Sequence, residues 1–361
     1  MELDKKFMRR ALELAALGKG RTSPNPMVGA VLVKDGRIVG EGYHRRCGGD
    51  HAEVAAFKAA GPRAAGATLY VNLEPCFHWG YTPPCVEAVI KSGAREVVIG
   101  MSDPNSLTNG KSIAKLRSQG VKVRVGVLRR EAERLNEVFI KNMKQKMPFV
   151  AVKFAQTLDG KIATAAGKSK WITSDAARAF ARRIRNEYDA ILCGRRTVKQ
   201  DDPGLNAGRR GKRIKKIIMD PAFKTSLSAK LFAKTQPQDC WLAVTQQAPL
   251  SRRKRLAELG VNVLVCPEKR GEIDLIFLFK QLASAGICSI LVEGGAATVG
   301  RVLKAGLADK VYAYVAPKIL GDQQALSSVT GLDIRDLPKA IVLKQMTVRS
   351  IGKDFLFEAY V

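Results

Sequence analysis

The sequence predicts an α/β protein of two domains, and three observations lead to this prediction. The chain of 361 residues is long enough for two domains of ordinary size. Patterns typical of β-strands and α-helices alternate along it, stop near residue 147 and then alternate again. The segment between the two series, 144–148, follows a charged helix and ends in a proline, as linkers often do. We therefore expect domains at 1–146 and 147–361.

The first domain begins with an amphipathic pattern at 3–17 that predicts a helix ending at Gly18. Two predicted strands, 28–33 and 37–42, flank Asp35-Gly36, a dipeptide that favours a tight hairpin. The rest of the domain alternates, with helices at 51–60, 84–92, 112–118 and 130–144 and strands at 67–73, 96–100 and 121–127. Such an alternation predicts a sheet covered by helices.

The second domain repeats the alternation with more strands. Strands are predicted at 149–156, 190–193, 214–219, 241–244, 261–265, 289–292 and 310–316. Helices are predicted at 175–187, 252–259, 274–285 and 296–305. The last stretch, 341–348 and 355–361, predicts a closing hairpin.

Composition excludes several classes of protein. A hydrophobic content of 46% is normal for a globular chain and too high for a disordered one. No apolar run reaches the roughly 18 residues that span a bilayer, and the charged N-terminus leads into no signal-peptide core. Seven cysteines, an odd number spread over a long chain, argue against a disulfide framework. We therefore expect a cytoplasmic protein without a membrane partner.

The charge is the least specific feature. The chain carries 61 Lys and Arg against 33 Asp and Glu, a net charge of +28. Such an excess suits nucleic acid, acidic lipid or phosphorylated small molecules as partners. Basic clusters occur at 182–183, 195–196, 209–216 and 252–255. Because none has the interleaved aromatic residues of a base-stacking surface, we do not expect nucleic acid as the partner.

Three short segments of the first domain predict a catalytic zinc site. They are His51-Ala52-Glu53 at a helix start, Pro75-Cys76 after a strand and Pro84-Cys85 at the next helix start. One histidine and two cysteines bind zinc and leave its fourth position open for water, as catalytic sites do. Glu53 is near enough to carry a proton from that water to the leaving group.

Zinc nucleobase deaminases carry H-x-E and then P-C-x-x-C, with the Glu as acid and base rather than ligand. This chain matches the first part, but eight residues separate Cys76 from Cys85. His78, within this spacer, is an alternative ligand, and His44 or His78 could contact substrate. We expect Cys47, followed by two glycines, to be structural.

The second domain lacks the G-x-G-x-x-G motif of common dinucleotide-binding folds. A different phosphate cradle is visible at 291–295, where Leu-Val-Glu-Gly-Gly leads directly into the predicted helix at 296. Glycines at a strand-to-helix turn expose backbone N–H groups, and the helix dipole favours an anion there. A simple packing turn is the alternative for the same residues.

Two sets of motifs together resemble one known family. The first set is Thr22-Ser23-Pro24-Asn25-Pro26-Met27-Val28-Gly29, Gly42-Tyr43-His44, His51-Ala52-Glu53 and Pro75-Cys76 to Pro84-Cys85. The second is Lys153-Phe154-Ala155, Thr157-Leu158-Asp159-Gly160-Lys161, Ser169-Lys170-Trp171-Ile172-Thr173, Asp201-Asp202-Pro203, Val292-Glu293-Gly294-Gly295 and Ala316-Pro317-Lys318. These motifs resemble the bifunctional riboflavin-biosynthesis deaminase/reductase family. The resemblance implies a zinc cytidine-deaminase-like α/β/α domain followed by a dihydrofolate-reductase-like α/β domain.

The resemblance also implies two reactions with Zn²⁺ and NADPH as cofactors. The first is hydrolytic deamination of 2,5-diamino-6-ribosylamino-4(3H)-pyrimidinone 5′-phosphate, and the second is reduction of its ribosyl group to a ribityl chain. The implied metal ligands are His51, Cys76 and Cys85, and the implied catalytic residues are Glu53, Lys153 and Asp159. The implied cofactor-binding residues are Ala155, Trp171, Thr197, Asp201, Gly295, Ala296, Ala297, Thr298, Val299, Gly300 and Arg301. The implied substrate-binding residues are Asn25, Asp103, Asn105, Ser169, Arg185, Leu205 and Glu293. We also expect a homo-oligomer.

The chain departs from the family pattern at three positions. Tyr81 replaces the usual Lys or Arg, Ser106 replaces a proline, and Gly208 stands where an arginine is usual. Two other interpretations follow: a divergent paralogue with one silent domain, or a nucleic-acid-binding zinc deaminase, which the charge favours and the long cysteine spacer disfavours.

Overall fold

The computed structural model describes residues 2–80, 83–207, 213–233 and 235–361. The chain divides into two compact units, Met1–Lys146 and Met147–Val361. Each unit has its own sheet covered by helices, which confirms the predicted α/β class. Tyr81 and Gly208, two of the departures from the family pattern, lie outside the described residues.

The first unit is built on a five-stranded sheet. Its helices are α1 (Glu2–Ala16), α2 (Ala52–Ala60), α3 (Cys85–Lys91), α4 (Lys111–Ser118), α5 (Arg129–Leu135) and α6 (Glu137–Gln145). Its strands are β1 (Gly29–Lys34), β2 (Arg37–Tyr43), β3 (Thr68–Leu73), β4 (Glu96–Met101) and β5 (Lys122–Val125). The strand order is β2-β1-β3-β4-β5, with β1 antiparallel to both neighbours and β3, β4 and β5 parallel.

Helices cover both faces of this sheet, as the alternating residues of β1 show. Ala30 and Leu32 pack in one core cluster with α2, whereas Val31 and Val33 pack in another with α1. Such alternation follows from the two-residue period of a strand. Helix α2 lies so close to β2 that a Cβ at Gly42 would be 2.4 Å from the carbonyl oxygen of Ala52.

One helix prediction in this unit was wrong. The apolar pattern at 130–144 predicts a single helix, but the chain forms α5 and α6 with a break at Asn136. Asn136 is buried, and its amide makes hydrogen bonds with both backbone groups of Met27. This tertiary contact, between residues far apart in the sequence, overrides the local helical preference.

The second unit is built on a nine-stranded sheet. The strands of this unit are β6 (Phe149–Thr157), β7 (Lys161–Ala163), β8 (Ala190–Gly194), β9 (Lys215–Met219), β10 (Cys240–Val244), β11 (Asn262–Val265), β12 (Glu268–Lys269), β13 (Glu272–Ile273), β14 (Ser289–Glu293), β15 (Lys310–Ala316), β16 (Leu326–Ser327), β17 (Lys344–Ile351) and β18 (Asp354–Tyr360). Four of them lie outside the large sheet, where β12 pairs with β13 and β7 with β16. Its helices are α7 (Asp175–Ile184), α8 (Arg195–Asp201), α9 (Lys230–Ala233), α10 (Leu250–Glu258), α11 (Leu275–Ser284) and α12 (Ala296–Lys304).

The large sheet has the order β11-β10-β9-β8-β14-β6-β15-β18-β17. The strands from β11 to β15 are parallel, and the predicted closing hairpin, β17 and β18, adds antiparallel to β15. Central strands such as β8 and β14 are buried on both faces, as parallel strands between two helix layers must be. The sequence did not reveal α8, because Val198 is its only buried residue among those the structure describes.

No helix in the described part of either unit combines the length and apolar character needed to cross a bilayer.

Candidate active sites

A cavity of about 310 Å³ opens in the first unit. Its lining brings together most of the deaminase residues expected from the sequence, namely Asn25, His51, Glu53, Cys76, Asp103 and Asn105. The carboxyl end of β3 and the amino ends of α2 and α3 converge there. Such strand ends and helix starts are where α/β folds place their ligands.

His51, Cys76 and Cys85 form a compact donor cluster. Nδ1 of His51 lies 3.0 Å from Sγ of Cys85 and 3.6 Å from Sγ of Cys76. Their ligand atoms all lie within 4.8 Å of one another. A tetrahedral zinc ion, with bonds of roughly 2.0 to 2.3 Å, holds its ligands at similar separations. The geometry and the chemistry of this donor set therefore fit zinc.

Local structure explains why these three donors meet. His51 is the residue before α2, whose first turn packs on Gly42 of β2. Cys85 is the first residue of α3, and its backbone N–H donates to Sγ of Cys76 at 3.2 Å. Hydrogen bonds from Cys85 and His51 lower the pKa of Cys76 well below its usual range. A thiolate, the form that binds zinc, is thus available near neutral pH.

Glu53 lies beside this cluster with only 3% of its surface exposed. Burial, with a smaller contribution from the nearby Cys76, raises the pKa of its carboxyl to about 7. A carboxyl with a pKa near neutrality can both accept and release a proton during one turnover. The position and environment of Glu53 therefore suit a proton carrier.

Other polar groups of the cavity lining are held in place by hydrogen bonds. The Asn25 amide nitrogen lies 3.2 Å from Nε2 of His44, whose Nδ1 lies 3.0 Å from the carbonyl oxygen of Asp50. Asp103 accepts the Asn105 backbone N–H at 2.8 Å, and burial raises the pKa of Asp103 to about 6. These groups offer hydrogen bonds to a polar heterocycle.

His78, the alternative ligand, lines the cavity but stands apart from the donor cluster. Its Nδ1 lies 3.2 Å from the hydroxyl of the buried Thr108. The group of potential metal ligands found among the described residues contains His51, Cys76 and Cys85, without His78. Ser106, one of the departures from the family pattern, is exposed.

Sequence reasoning missed several residues that shape this cavity. Phe139 and Met143, one helical turn apart on α6, form part of its lining. Glu74 accepts the backbone N–H groups of Asp103, Gly110 and Ile113, and so fixes the loop that carries Asp103. An acidic residue directly after a mostly apolar strand was the signal for Glu74, because a buried carboxylate needs several donors.

In the second unit, Lys153, Arg185 and Glu293 meet in one buried ion cluster. Lys153 and Glu293 are register partners on the adjacent parallel strands β6 and β14, so their side chains share one face. Nζ of Lys153 lies 3.5 Å from the Glu293 carboxylate, and Arg185 binds it through two nitrogens at 2.6 and 2.8 Å. Burial raises the pKa of Glu293, but the two cations outweigh burial and bring it to about 2.

The loop that carries Leu205 is joined to this cluster. Arg185 also donates to the Asn206 carbonyl oxygen at 2.8 Å. Lys216, buried in β9, donates to the Gly204 carbonyl oxygen, the Asn206 side chain and the Thr235 hydroxyl. Burial lowers the pKa of Lys216. A lysine within a mostly apolar predicted strand was the sequence signal for this contact.

The Gly294-Gly295 turn begins α12, as predicted. Thr197 fixes it by accepting the Gly295 N–H at 2.9 Å. In the described structure the N–H groups of Ala296 and Ala297 have no acceptor, which fits an anion at the start of this nine-residue helix. This donor pair, at a turn without bulky side chains, fits a phosphate of NADPH.

The remaining expected cofactor residues on α12 are buried or contact other parts of the unit. Thr298, Val299 and Gly300 are buried, and Val299 belongs to the hydrophobic core. The guanidinium of Arg301 donates to the Glu272 carboxylate and to the Ile273 carbonyl oxygen, at 2.7 and 2.9 Å. Direct contact with a cofactor is therefore best supported at the first turn of the helix.

Asp159 is fastened to backbone rather than to the ion cluster. Its carboxylate accepts the Thr157 hydroxyl at 2.5 Å and the backbone N–H groups of Leu320 and Gly321. These hydrogen bonds lower its pKa to about 2. A carboxylate held in this way orders a turn, and its catalytic role stays a prediction.

Trp171 is 61% exposed, with the Arg178 guanidinium 4.2 Å from its ring centre. Its carbonyl oxygen accepts Nζ of Lys318 at 2.8 Å. An exposed, oriented indole offers a flat surface to a ligand. Ala155, Ser169 and Asp201 are half-buried, the side chains of Ser169 and Asp201 make no hydrogen bond within the described residues, and the roles of all three stay predictions.

Two family profiles match the chain, one in each unit. The profile of the cytidine and deoxycytidylate deaminase zinc-binding region matches residues 1–101. The profile of the RibD C-terminal domain matches residues 148–357.

Known proteins are similar over nearly the full length. The chain is 43% identical to riboflavin biosynthesis protein RibD of Aquifex aeolicus over 357 residues, 98% of each chain. Its identity to RibD of Escherichia coli is 40%, over 97% of each chain. Form 1 of Acinetobacter baumannii RibD superposes with a TM-score of 0.90 at 36% identity, covering 99% of each chain. A diaminohydroxyphosphoribosylaminopyrimidine deaminase/5-amino-6-(5-phosphoribosylamino)uracil reductase from Thermotoga maritima gives a TM-score of 0.87 at 36% identity, with the same coverage.

Proposed function

Because this chain belongs to the RibD family of riboflavin biosynthesis proteins, we propose that residues 1–146 deaminate a phosphorylated pyrimidine and residues 147–361 then reduce it. The chain is a bifunctional enzyme that uses zinc and NADPH. Similarity over both units does not favour a nucleic-acid-binding deaminase or a paralogue with one silent domain.

The starting compound is 2,5-diamino-6-ribosylamino-4(3H)-pyrimidinone 5′-phosphate. Water replaces its 2-amino group and ammonia leaves. A hydride then adds to C1 of the ribosyl group and a proton to the ring oxygen, which opens the sugar to a ribityl chain. The product is 5-amino-6-ribitylamino-uracil 5′-phosphate.

In the deaminase, His51, Cys76 and Cys85 would hold zinc, which activates a water molecule at neutral pH when bound. Glu53 takes a proton from that water and returns it to the departing amino group, which its pKa near 7 permits. Asn25 and the Asp103–Asn105 loop orient the pyrimidine through their hydrogen-bonding groups.

In the reductase, NADPH supplies the hydride when bound. The first turn of α12, where Thr197 holds Gly295, receives a phosphate of the cofactor. Trp171 offers the cofactor a flat surface. Arg185 and Glu293 bind the substrate, and Lys153, which adjoins Glu293, gives a proton to the ring oxygen.

The observation that carries this proposal is the convergence of His51, Cys76, Cys85 and the buried Glu53 at one cavity. The test supplies the purified, zinc-loaded protein and NADPH with the diamino substrate. We expect one ammonia released and one NADPH oxidised per substrate. A protein that folds and binds zinc but performs neither reaction would refute the proposal.

We further propose that the enzyme is cytoplasmic and forms a homo-oligomer. Strand β17 is an outer strand of the large sheet, and its apolar side chains Met346 and Val348 are more than half exposed. An exposed apolar edge strand is a frequent site of self-association. Light scattering should give at least twice the mass of one chain and a lower mass for Val348→Lys, whereas a wild-type monomer would contradict the oligomer.

A further inference from the structure

We propose that Asn136 is a positioning residue for the deamination. It joins the loop that carries Asn25 to α6, so that two walls of the substrate cavity keep a fixed separation. The inference rests on the proposed deaminase function of this cavity. It concerns a residue outside the cavity lining and outside the donor cluster.

The joint is a pair of reciprocal hydrogen bonds. The Met27 N–H donates to Oδ1 of Asn136 at 2.8 Å, and Nδ2 of Asn136 donates to the Met27 carbonyl oxygen at 3.0 Å. The side-chain amide thus pairs with the backbone as a neighbouring strand would. Because Asn136 is only 1% exposed, water cannot replace either hydrogen bond without a local rearrangement.

The chain breaks a helix to make this contact. Asn136 directly precedes α6, and asparagine at that position usually caps the helix with its side chain. Here the side chain makes no cap hydrogen bond and reaches instead across 109 residues of sequence to Met27. Because its side chain binds Met27 instead of capping α6, Asn136 holds the loop that carries Asn25 and the start of α6 together.

Both of the joined segments line the cavity. Pro24, Asn25 and Pro26 line it from the loop before Met27, and Phe139 and Met143 line it from α6. A shift at Asn136 therefore changes the width of the pocket around the pyrimidine. It leaves the donor cluster in place, because His51 precedes α2, Cys76 lies in the loop after β3 and Cys85 begins α3.

A second asparagine, Asn72, also holds the loop at Met27, so the effect of Asn136 on the cavity can be measured without loss of the fold. Asn72 of β3 donates to the same Met27 carbonyl oxygen at 3.0 Å and accepts the Gly29 N–H at 2.8 Å. It keeps the loop attached to the sheet when Asn136 is changed. Loss of the Asn136 pair should therefore move α6 relative to the loop without unfolding the unit.

The test compares Asn136→Asp and Asn136→Leu with Asn142→Asp, the same change at an asparagine of α6 whose side chain makes no hydrogen bond in the described part of the chain. The Asp side chain keeps the size of Asn but cannot donate to the Met27 carbonyl oxygen. We expect the KM for the diamino substrate to rise about tenfold in Asn136→Asp, with kcat within about twofold. Asn142→Asp should behave as wild type.

Zinc content and reduction of the deaminated intermediate should stay at wild-type values in every variant. An unchanged KM in Asn136→Asp, or equal losses of kcat and zinc with KM unchanged, would overturn the inference, since either result describes a residue that only supports the fold. Failure of the wild-type enzyme to release ammonia would remove the proposed function together with this inference. The Asp variant decides the question if Asn136→Leu does not fold.

Discussion

Replacement of Glu293 by glutamine tests the buried ion cluster of the second unit most sharply. The variant keeps the size of the side chain and removes its charge, which leaves Arg185 and Lys153 without their shared partner. The pKa of Glu293 is about 2 in the folded protein, against an ordinary value of 4.5. At about 1.4 kcal/mol per pKa unit, the charged carboxylate stabilises the folded state by about 3 kcal/mol, consistent with the penalty for breaking buried pairs.

The sign of the pH dependence follows from the lowered pKa. An acid whose pKa falls on folding stabilises the protein above its unfolded pKa, and this stabilisation is lost as the pH falls. The difference in unfolding free energy between wild type and Glu293→Gln should therefore be largest above pH 4.5 and shrink toward pH 2.

Urea unfolding at pH 7 and pH 3 measures this difference, and Trp171 and Trp241 provide fluorescence from the second unit. Glu272→Gln is the matched control, because Glu272 pairs with Arg301 while half exposed. Such surface pairs contribute less than about 1 kcal/mol. A Glu293→Gln protein as stable as the control at pH 7, or a difference from wild type that grows in acid, would refute the reasoning.

Three further outcomes are expected. Glu53→Gln should reduce ammonia release at least about 100-fold while NADPH oxidation with the deaminated intermediate stays normal, and loss of both in a folded variant would contradict separate sites. Cys85→Ser should bind far less than one zinc per chain by atomic absorption, whereas Cys47→Ser should keep its zinc; equal zinc in both would be inconsistent with the assigned ligands. Gly300→Ala should lower the unfolding free energy by about 1–3 kcal/mol, because its Cβ would lie 1.8 Å from the Thr330 carbonyl oxygen; an unchanged melting temperature would count against that packing.

The features predicted correctly from the sequence are those that depend on residues adjacent in the chain. Strands such as β3 and β14 end within a residue or two of their predicted limits, because apolar runs and turn residues mark them locally. The zinc donors were found for the same reason, since His51-Ala52-Glu53 and the two Pro-Cys pairs are short motifs.

Features that depend on distant contacts were missed or only implied. Nothing near Asn136 indicates Met27, so the helix at 130–144 was not divided. The register that brings Lys153 beside Glu293 joins strands 140 positions apart in the sequence. Lys216 likewise finds its acceptors on other segments, at Gly204 and Thr235. Local patterns carry no information on such pairings, because tertiary packing decides them.

A mixing experiment tests the central claim that one chain carries two separate active sites. Glu53→Gln and Glu293→Gln are each given the diamino substrate with NADPH, alone and then in equimolar mixture. Glu53→Gln alone should leave the substrate intact, and Glu293→Gln alone should release ammonia without oxidising NADPH. The mixture should oxidise one NADPH per ammonia released. A mixture that oxidises no NADPH, or ammonia release by Glu53→Gln alone at the wild-type rate, would contradict the account.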